Sequence, residues 1–329
     1  MIDMPKSPVY AAIDLGTNNC RLLIAHPNCN NETGIHVVDG FSRIVRLGEG
    51  LIKTGRLSDA AIDRATEALK VCAQKIKNQG VCQTQAIATE ACRQATNDKD
   101  FFYRVEKETG IHFKTITSKE EAELTLAGCM PLLTTDHPRV LMFDIGGGST
   151  ELIWLEKETS KVPNVIDILS LPFGVVSLAE EFGPNLICKE RFEKIIDRID
   201  AALIPFENNH NIASQITMGN VHVLGTSATV TTMGSIYLNQ VRYDRAQVDG
   251  LSIPYKNIYA MCKKLISLDI EALQNHPCIG PGRADLMVMG CVILSAICRR
   301  WPAICLTAAD RGIREGLLMR MMTKNQVLV

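Results

Sequence analysis

Short apolar runs at Val9–Asp14, Cys20–Ala25 and Ile35–Leu47, parted by polar or glycine-bearing turns, open the chain and predict three strands. The period then lengthens. Ile62, Ala65, Leu69, Cys72 and Ile76 keep helical spacing, with Ser58 placed to cap the start and Gly80 to close the end. A strand near Cys82–Ala88, a helix ending at Gly110, a strand over Ile111–Thr117 and a helix from Lys119 complete a β-β-β-α-β-α-β-α order. The second half starts the same way, with strands at Val140–Asp144, Glu151–Leu155 and Val165–Leu171. An amphipathic helix over Lys189–Leu203 follows, then a strand at Val221–Leu224 that runs into the hydroxyl-rich GTSATVTTM segment, read as a helix start. The polar, proline-bearing residues 131–139 mark the crossing between the halves.

The repeat is sharpest at two turns. AIDLGTNNCRLLIA (residues 12–25) and MFDIGGGSTELIWL (142–155) share one layout, displaced by 130 residues: Asp14 matches Asp144, Gly16 matches Gly146 and Leu22 matches Leu152. Neither turn suits a Walker A loop, because no lysine precedes Ser149-Thr150. A dinucleotide fingerprint fails too, with Glu151 where its third glycine would stand. Both of those loops open a helix, whereas each turn here lies between two strands. Two such hairpins facing across a cleft would offer runs of backbone N–H to phosphate oxygens, while Asp14 and Asp144 suit a magnesium ion bound to them.

Composition narrows the class. A chain of 329 residues, 46% apolar and 22% charged, is long enough for two cores and too apolar for disorder. Its formal net charge of −1 argues against general binding of nucleic acid or anionic membrane. The first ten residues, MIDMPKSPVY, hold no apolar signal-peptide core, so a cytoplasmic location is expected. Leu286–Cys298, the longest apolar run at 13 residues, suits a buried helix. The twelve cysteines form no CxxC pair and read as reduced core thiols, with Cys291, Cys298 and Cys305 spaced as on one helix face. No HxxxH or HxH pair points to zinc.

With these turns stand IATEACRQATN, ITSKEEAELTLAG, LGTSATVTTM, GRADLMVMG and TAADRGIREGLL, in that order along the chain. Together they resemble the exopolyphosphatase / guanosine pentaphosphate phosphohydrolase (Ppx/GppA) family, within the superfamily of actin, hexokinase and the heat-shock ATPases. The resemblance implies an α/β fold of two duplicated RNase H-like domains around a central cleft. The expected division is 1–130 and 131–312, with a last helix at about 313–329 packing back on the first domain. It implies magnesium-dependent removal of a terminal phosphate from polyphosphate or from the 5′ end of pppGpp, and a homodimer.

Carried over by motif, the resemblance makes Glu121 the water-activating base, with Glu120 as the fallback, and gives Arg93 to phosphate. Gly146, Gly147, Gly148 and Ser149 would cradle the terminal phosphoryl group, with Thr17, Asn18 and Asn19 opposite. Asp144 and Glu151, assisted by Asp14, would serve magnesium. From spacing alone Ser118–Glu121 reads instead as a capping box, with Glu121 reaching back to the Ser118 N–H. Thr226, Ser227 and Thr229 are candidates for capping a helix or for touching phosphate or nucleotide, and Arg21, Arg43, Arg46 and Lys53 for holding the rest of a polyanion. The chain departs from many relatives in its Thr17-Asn18-Asn19-Cys20 turn, and channel features that long members owe to an appended helical domain are not expected. Two rival readings are a kinase-like phosphotransferase of the same superfamily and a (p)ppGpp-binding regulator with little turnover.

Overall fold

The computed structural model describes residues 7–28, 34–133, 136–157, 163–183 and 189–326. The expectations for residues 1–6 and for the end of the last helix at 327–329 lie outside them. Two compact units emerge: one comprises Met1–Pro131 with Gly312–Val329, the other Leu132–Arg311.

In the first unit, β1 (Tyr10–Leu15), β2 (Asn19–Pro27), β3 (Ile35–Ile44), β4 (Gln83–Ala88) and β5 (Phe113–Thr115) form a sheet in the order β3-β2-β1-β4-β5. The first three strands are antiparallel, and β4 and β5 run parallel to β1 and β4 respectively. The second unit repeats the arrangement with β6 (Arg139–Ile145), β7 (Thr150–Glu156), β8 (Asn164–Leu171), β9 (Val221–Thr226), β10 (Leu251–Pro254) and β11 (Cys305–Ala309), ordered β8-β7-β6-β9-β11-β10. This is the duplication that the paired turns predicted, in the RNase H-like α/β form that the family resemblance implied. The short strands β10 and β11 escaped the pattern reading. Cys305 opens β11 rather than sharing a helix face with Cys291 and Cys298, whose helix ends at Arg300.

Both faces of the first sheet are covered, as parallel strands require. On one face lies the Asp59–Asn78 helix, whose start is capped by Ser58 Oγ accepting the Ala61 N–H, and which buries Ala61, Ile62, Ala65, Leu69 and Cys72. The Ser118–Cys129 and Ile313–Gln326 helices cover the other face, packing Leu124, Ile313, Leu317 and Met321 over Tyr10, Ala12, Leu23 and Ala25. These two helices cross without intervening side chains. A Cβ on Gly316 would stand 2.0 Å from the Leu124 carbonyl oxygen, and one on Gly128 would stand 2.1 Å from that of Gly312. The second unit holds one large core around Phe143, Trp154 and Trp301, into which the Ala284–Arg300 helix buries almost every apolar side chain. Among the described residues every cysteine is a free thiol, and no helix is long and apolar enough to cross a membrane.

Candidate functional site

The end of β5 sets the fate of two adjacent glutamates. Thr117, extended at φ −71° and ψ 159°, is the N-cap of the following helix: its Oγ1 accepts the Glu120 N–H at 3.1 Å, and Glu120 Oε2 accepts the Thr117 N–H at 2.9 Å. The capping box thus stands one residue earlier than Ser118–Glu121, and Glu120 closes it. Lys114 Nζ, donating to Glu120 Oε1 at 2.7 Å, and the Thr117 amide depress the Glu120 carboxyl to about 2, making it a poor proton acceptor. The fallback base is therefore committed to the helix end.

Glu121, released from capping, is buried and faces Arg93, whose Nη1 donates to its Oε2 at 2.7 Å and to the Ile116 carbonyl at 2.9 Å. Arg93 Nε donates to Glu90 Oε2 at 2.8 Å, and Nη2 lies 2.6 Å from the same oxygen. Burial works against the guanidinium charge, yet the two carboxylates outweigh it and raise the Arg93 pKa further. An arginine expected on phosphate thus gives its Nε and one Nη1 donor to protein acids, while Nη2 makes no hydrogen bond among the described residues.

The β1–β2 turn closes with the Gly16 N–H donating to the Asn19 carbonyl at 2.9 Å. The Thr17 carbonyl accepts the Gly48 N–H, and the Asn18 carbonyl accepts those of Val45 and Arg46. All peptides among the described residues are trans, so the Asn18 and Asn19 N–H groups point opposite to those occupied carbonyls. Thr17 and Asn18 are buried, and Asn18 Oδ1 has no hydrogen-bond partner among the described residues. Gly48 must lack a side chain, because a Cβ there would meet Thr17 Cγ2 at 2.4 Å.

The β6–β7 turn is built alike. Gly146 N–H donates to the Ser149 carbonyl at 2.9 Å. The Gly146 and Gly147 carbonyls accept the Val175, Val176 and Ser177 amides at the start of the Val175–Phe182 helix, and Ser177 Oγ donates to the Gly148 carbonyl at 3.3 Å. The Gly147, Gly148 and Ser149 N–H groups consequently point away from that helix, as a row of donors. Gly174 backs the turn so closely that a Cβ would fall 2.3 Å from the Gly147 oxygen. Gly48, Gly174 and Ser177 were not singled out from the sequence, since only a distant turn gives them meaning.

Asp144 and Glu151 are partners across the β6–β7 ladder, so their carboxylates share a face of the sheet. Glu151 is deeply buried, and its Oε1 accepts the hydroxyls of Ser149 and Ser170 at 2.7 and 2.9 Å. Ser149 thus offers its hydroxyl to Glu151 and its amide to the turn's open side. The matching pair in the first unit is Asp14 and Arg21. Burial raises the Asp14 pKa, with Arg21 and Arg314 opposing and Glu315 adding to the rise. Among the described residues no cluster of three or more His, Cys, Asp or Glu side chains could hold a metal alone. Two carboxylates suit magnesium, which keeps several waters and completes its shell with phosphate oxygens; Asp144 with Glu151 fits that donor set.

Thr226 and Ser227 of the GTSATVTTM segment turn their hydroxyls to backbone carbonyls of the second unit. Thr226 Oγ1 donates to the Ala309 and Arg311 carbonyls, and Thr229 is buried against Gly290. Ser227, at φ +84°, donates from Oγ to the Ile145 carbonyl at 2.6 Å, just before the glycine turn. Thr226 holds the N-cap position without a side-chain capping bond.

The fold and turns define a protein of the phosphatase class that the sequence resembles. The chain belongs to the Ppx/GppA phosphatase family, whose sequence model matches residues 28–325. It is 29% identical to exopolyphosphatase 2 of Mycobacterium tuberculosis, over 94% of this chain and 98% of that protein. To the guanosine-5'-triphosphate,3'-diphosphate pyrophosphatase of Aeromonas hydrophila it is also 29% identical, over 98% of this chain and 61% of that longer protein. The crystal structure of the Aquifex aeolicus member of the Ppx/GppA family superposes with a TM-score of 0.77 at 25% identity, covering 97% of this chain and 98% of that one. The chain is accordingly a hydrolase of acid anhydrides.

Proposed function

We propose that this chain removes the terminal phosphate from linear polyphosphate or from the 5′ end of pppGpp, with Glu121 as the base that orients and deprotonates the attacking water. The observation that carries the reading is the Arg93–Glu121 pair: a buried carboxylate at a helix start, relieved of capping by Glu120 and held at 2.7 Å by a guanidinium. Phosphoryl transfer asks a protein mainly for positioning and charge stabilisation; this pair offers a positioned carboxylate and each turn a set of N–H donors. Water oxygen bonds to the terminal phosphorus as the bridging P–O bond breaks, and Glu121 takes the proton. Orthophosphate and a substrate shorter by one phosphate leave.

Within the second unit the Gly147, Gly148 and Ser149 amides are assigned to phosphate oxygens, with Gly146 shaping their turn; within the first unit the Asn18 and Asn19 amides are assigned the same role, with Thr17 shaping theirs. Asp144 and Glu151 would hold magnesium, which when bound neutralises charge on phosphate oxygens. Asp14 is assigned a supporting part only, because Arg21 already answers its charge. This reading carries a cytoplasmic homodimer whose partner is a free polyanion rather than nucleic acid or membrane.

The test is orthophosphate release from long-chain polyphosphate and from pppGpp, with and without Mg²⁺, by wild type and Glu121→Gln. Turnover of either substrate, falling roughly 100-fold or more in the variant, supports the assignment. Equal rates in the two proteins would remove Glu121 from catalysis. Tight ppGpp binding without turnover would favour the regulatory reading.

A further inference from the structure

Glu90 has no part in the proposed chemistry, yet it accepts a hydrogen bond from the same Arg93 guanidinium that Glu121 does. Its Oε2 accepts the Nε–H at 2.8 Å and stands 2.6 Å from Nη2 as an ion-pair contact, whereas Glu121 accepts from Nη1. Gln94 Nε2 donates to the other Glu90 oxygen at 2.5 Å, one turn along the same short helix. The three charged side chains are largely shielded, with side-chain exposures of 17% for Glu90, 16% for Arg93 and 10% for Glu121. The order Gln94, Glu90, Arg93, Glu121 is thus a continuous set of hydrogen bonds ending on the base.

The duplication supplies an independent comparison. Thr89 is the N-cap of the helix after β4 as Thr226 is of the helix after β9, so Ser227 occupies the place of Glu90. There the side chain binds the Ile145 carbonyl and no arginine. The strand-to-helix junction therefore does not itself require a carboxylate. An acid in the first turn of a helix gains some favourable dipole energy, but a helix of five residues offers little of it.

We propose that Glu90 is a positioning residue for the Glu121 base, acting through Arg93 by holding the guanidinium in the plane that fixes Glu121 Oε2. An arginine bonded at Nη1 alone would swing about its side-chain torsions, and a second, charge-assisted hydrogen bond from Nε to Glu90 restricts that freedom. The inference rests on Glu121 being the base.

The experiment measures Mg²⁺-dependent orthophosphate release from polyphosphate and pppGpp by wild type, Glu90→Gln, Glu90→Ala, Arg93→Ala, the double variant Glu90→Ala/Arg93→Ala, and Glu121→Gln. A misplaced base costs roughly 10- to 100-fold, so Glu90→Ala should lower kcat by that factor. KM should stay within about threefold of wild type, because Glu90 is assigned no substrate contact. Glu90→Gln, which keeps an acceptor for Arg93 Nε, should recover part of the loss. In the Arg93→Ala background, Glu90→Ala should change kcat by less than about twofold, since residues acting through one another are not additive. Equal losses in both backgrounds, a change confined to KM, or wild-type kcat in Glu90→Ala alongside an inactive Glu121→Gln would each overturn the positioning role. Wild-type activity in Glu121→Gln would instead remove the base on which the inference stands.

Discussion

Asp144 faces Glu151 across the β6–β7 ladder at the place where, 130 residues earlier, Asp14 faces Arg21 across β1–β2. One duplicated position has become an acid in the second unit and a base in the first. Two like charges on neighbouring strands repel unless a cation or hydrogen bonds answer them. The Ser149 and Ser170 hydroxyls partly answer Glu151, and a divalent ion is the natural complement.

The metal prediction follows from that contrast. Asp144→Asn and Glu151→Gln should each raise the Mg²⁺ concentration needed for half-maximal orthophosphate release, whereas Asp14→Asn should leave it near the wild-type value. Mg²⁺ titrations of the three variants check this. A shift in Asp14→Asn as large as in the other two would move the ion towards the first turn.

Glu120 and Glu121 should separate by experiment although they are adjacent. Glu120→Gln should keep turnover near wild type and change stability instead. Its carboxyl is depressed from 4.5 to about 2, so it stabilises the fold fully above about pH 4.5 and loses that contribution as pH falls towards 2. Urea unfolding across this range should show a shallower acid-side loss in Glu120→Gln than in wild type.

Gly316 sets helix propensity against packing. On an isolated helix, Gly→Ala would stabilise by about 1 kcal/mol. Here the added Cβ would stand 2.0 Å from the Leu124 carbonyl oxygen, backbone that cannot rotate aside. Overpacking of this kind costs about 1–3 kcal/mol, so Gly316→Ala should be net destabilising in urea unfolding. Because Leu124 shares a helix with Glu121, its turnover should fall as well.

Gly174→Ala should act on the glycine turn rather than on the fold as a whole. Its Cβ would reach the Gly147 oxygen at 2.3 Å and push that peptide, with the Gly148 amide on its far edge, out of line. The expected result is an orthophosphate-release defect of roughly 10-fold or more, with unfolding by urea still cooperative. Wild-type kinetics would show that the row of amides does not serve the reaction.

What the sequence by itself determined is local or repeated. Short apolar runs at 9–14 and 20–25, and at 140–144 and 151–155, marked the hairpins, the displacement of Asp14-Leu-Gly16 onto Asp144-Ile-Gly146 marked the duplication, and Ser58 with the apolar stripe to Ile76 marked a helix. Period, capping chemistry and turn residues act within a few positions, so a string of residues carries them. Tertiary structure decided which glutamate caps and which is released, because Thr117 and Ser118 both fit the capping pattern and only Lys114 and Arg93, arriving from other elements, separate Glu120 from Glu121. It also decided that Arg93 is shared with Glu90, that Gly174 closes on the triple-glycine turn, and that the last helix lies against Leu124 without a side chain between them. Those are contacts between surfaces brought together by folding, and neither composition nor spacing along the chain encodes their distances.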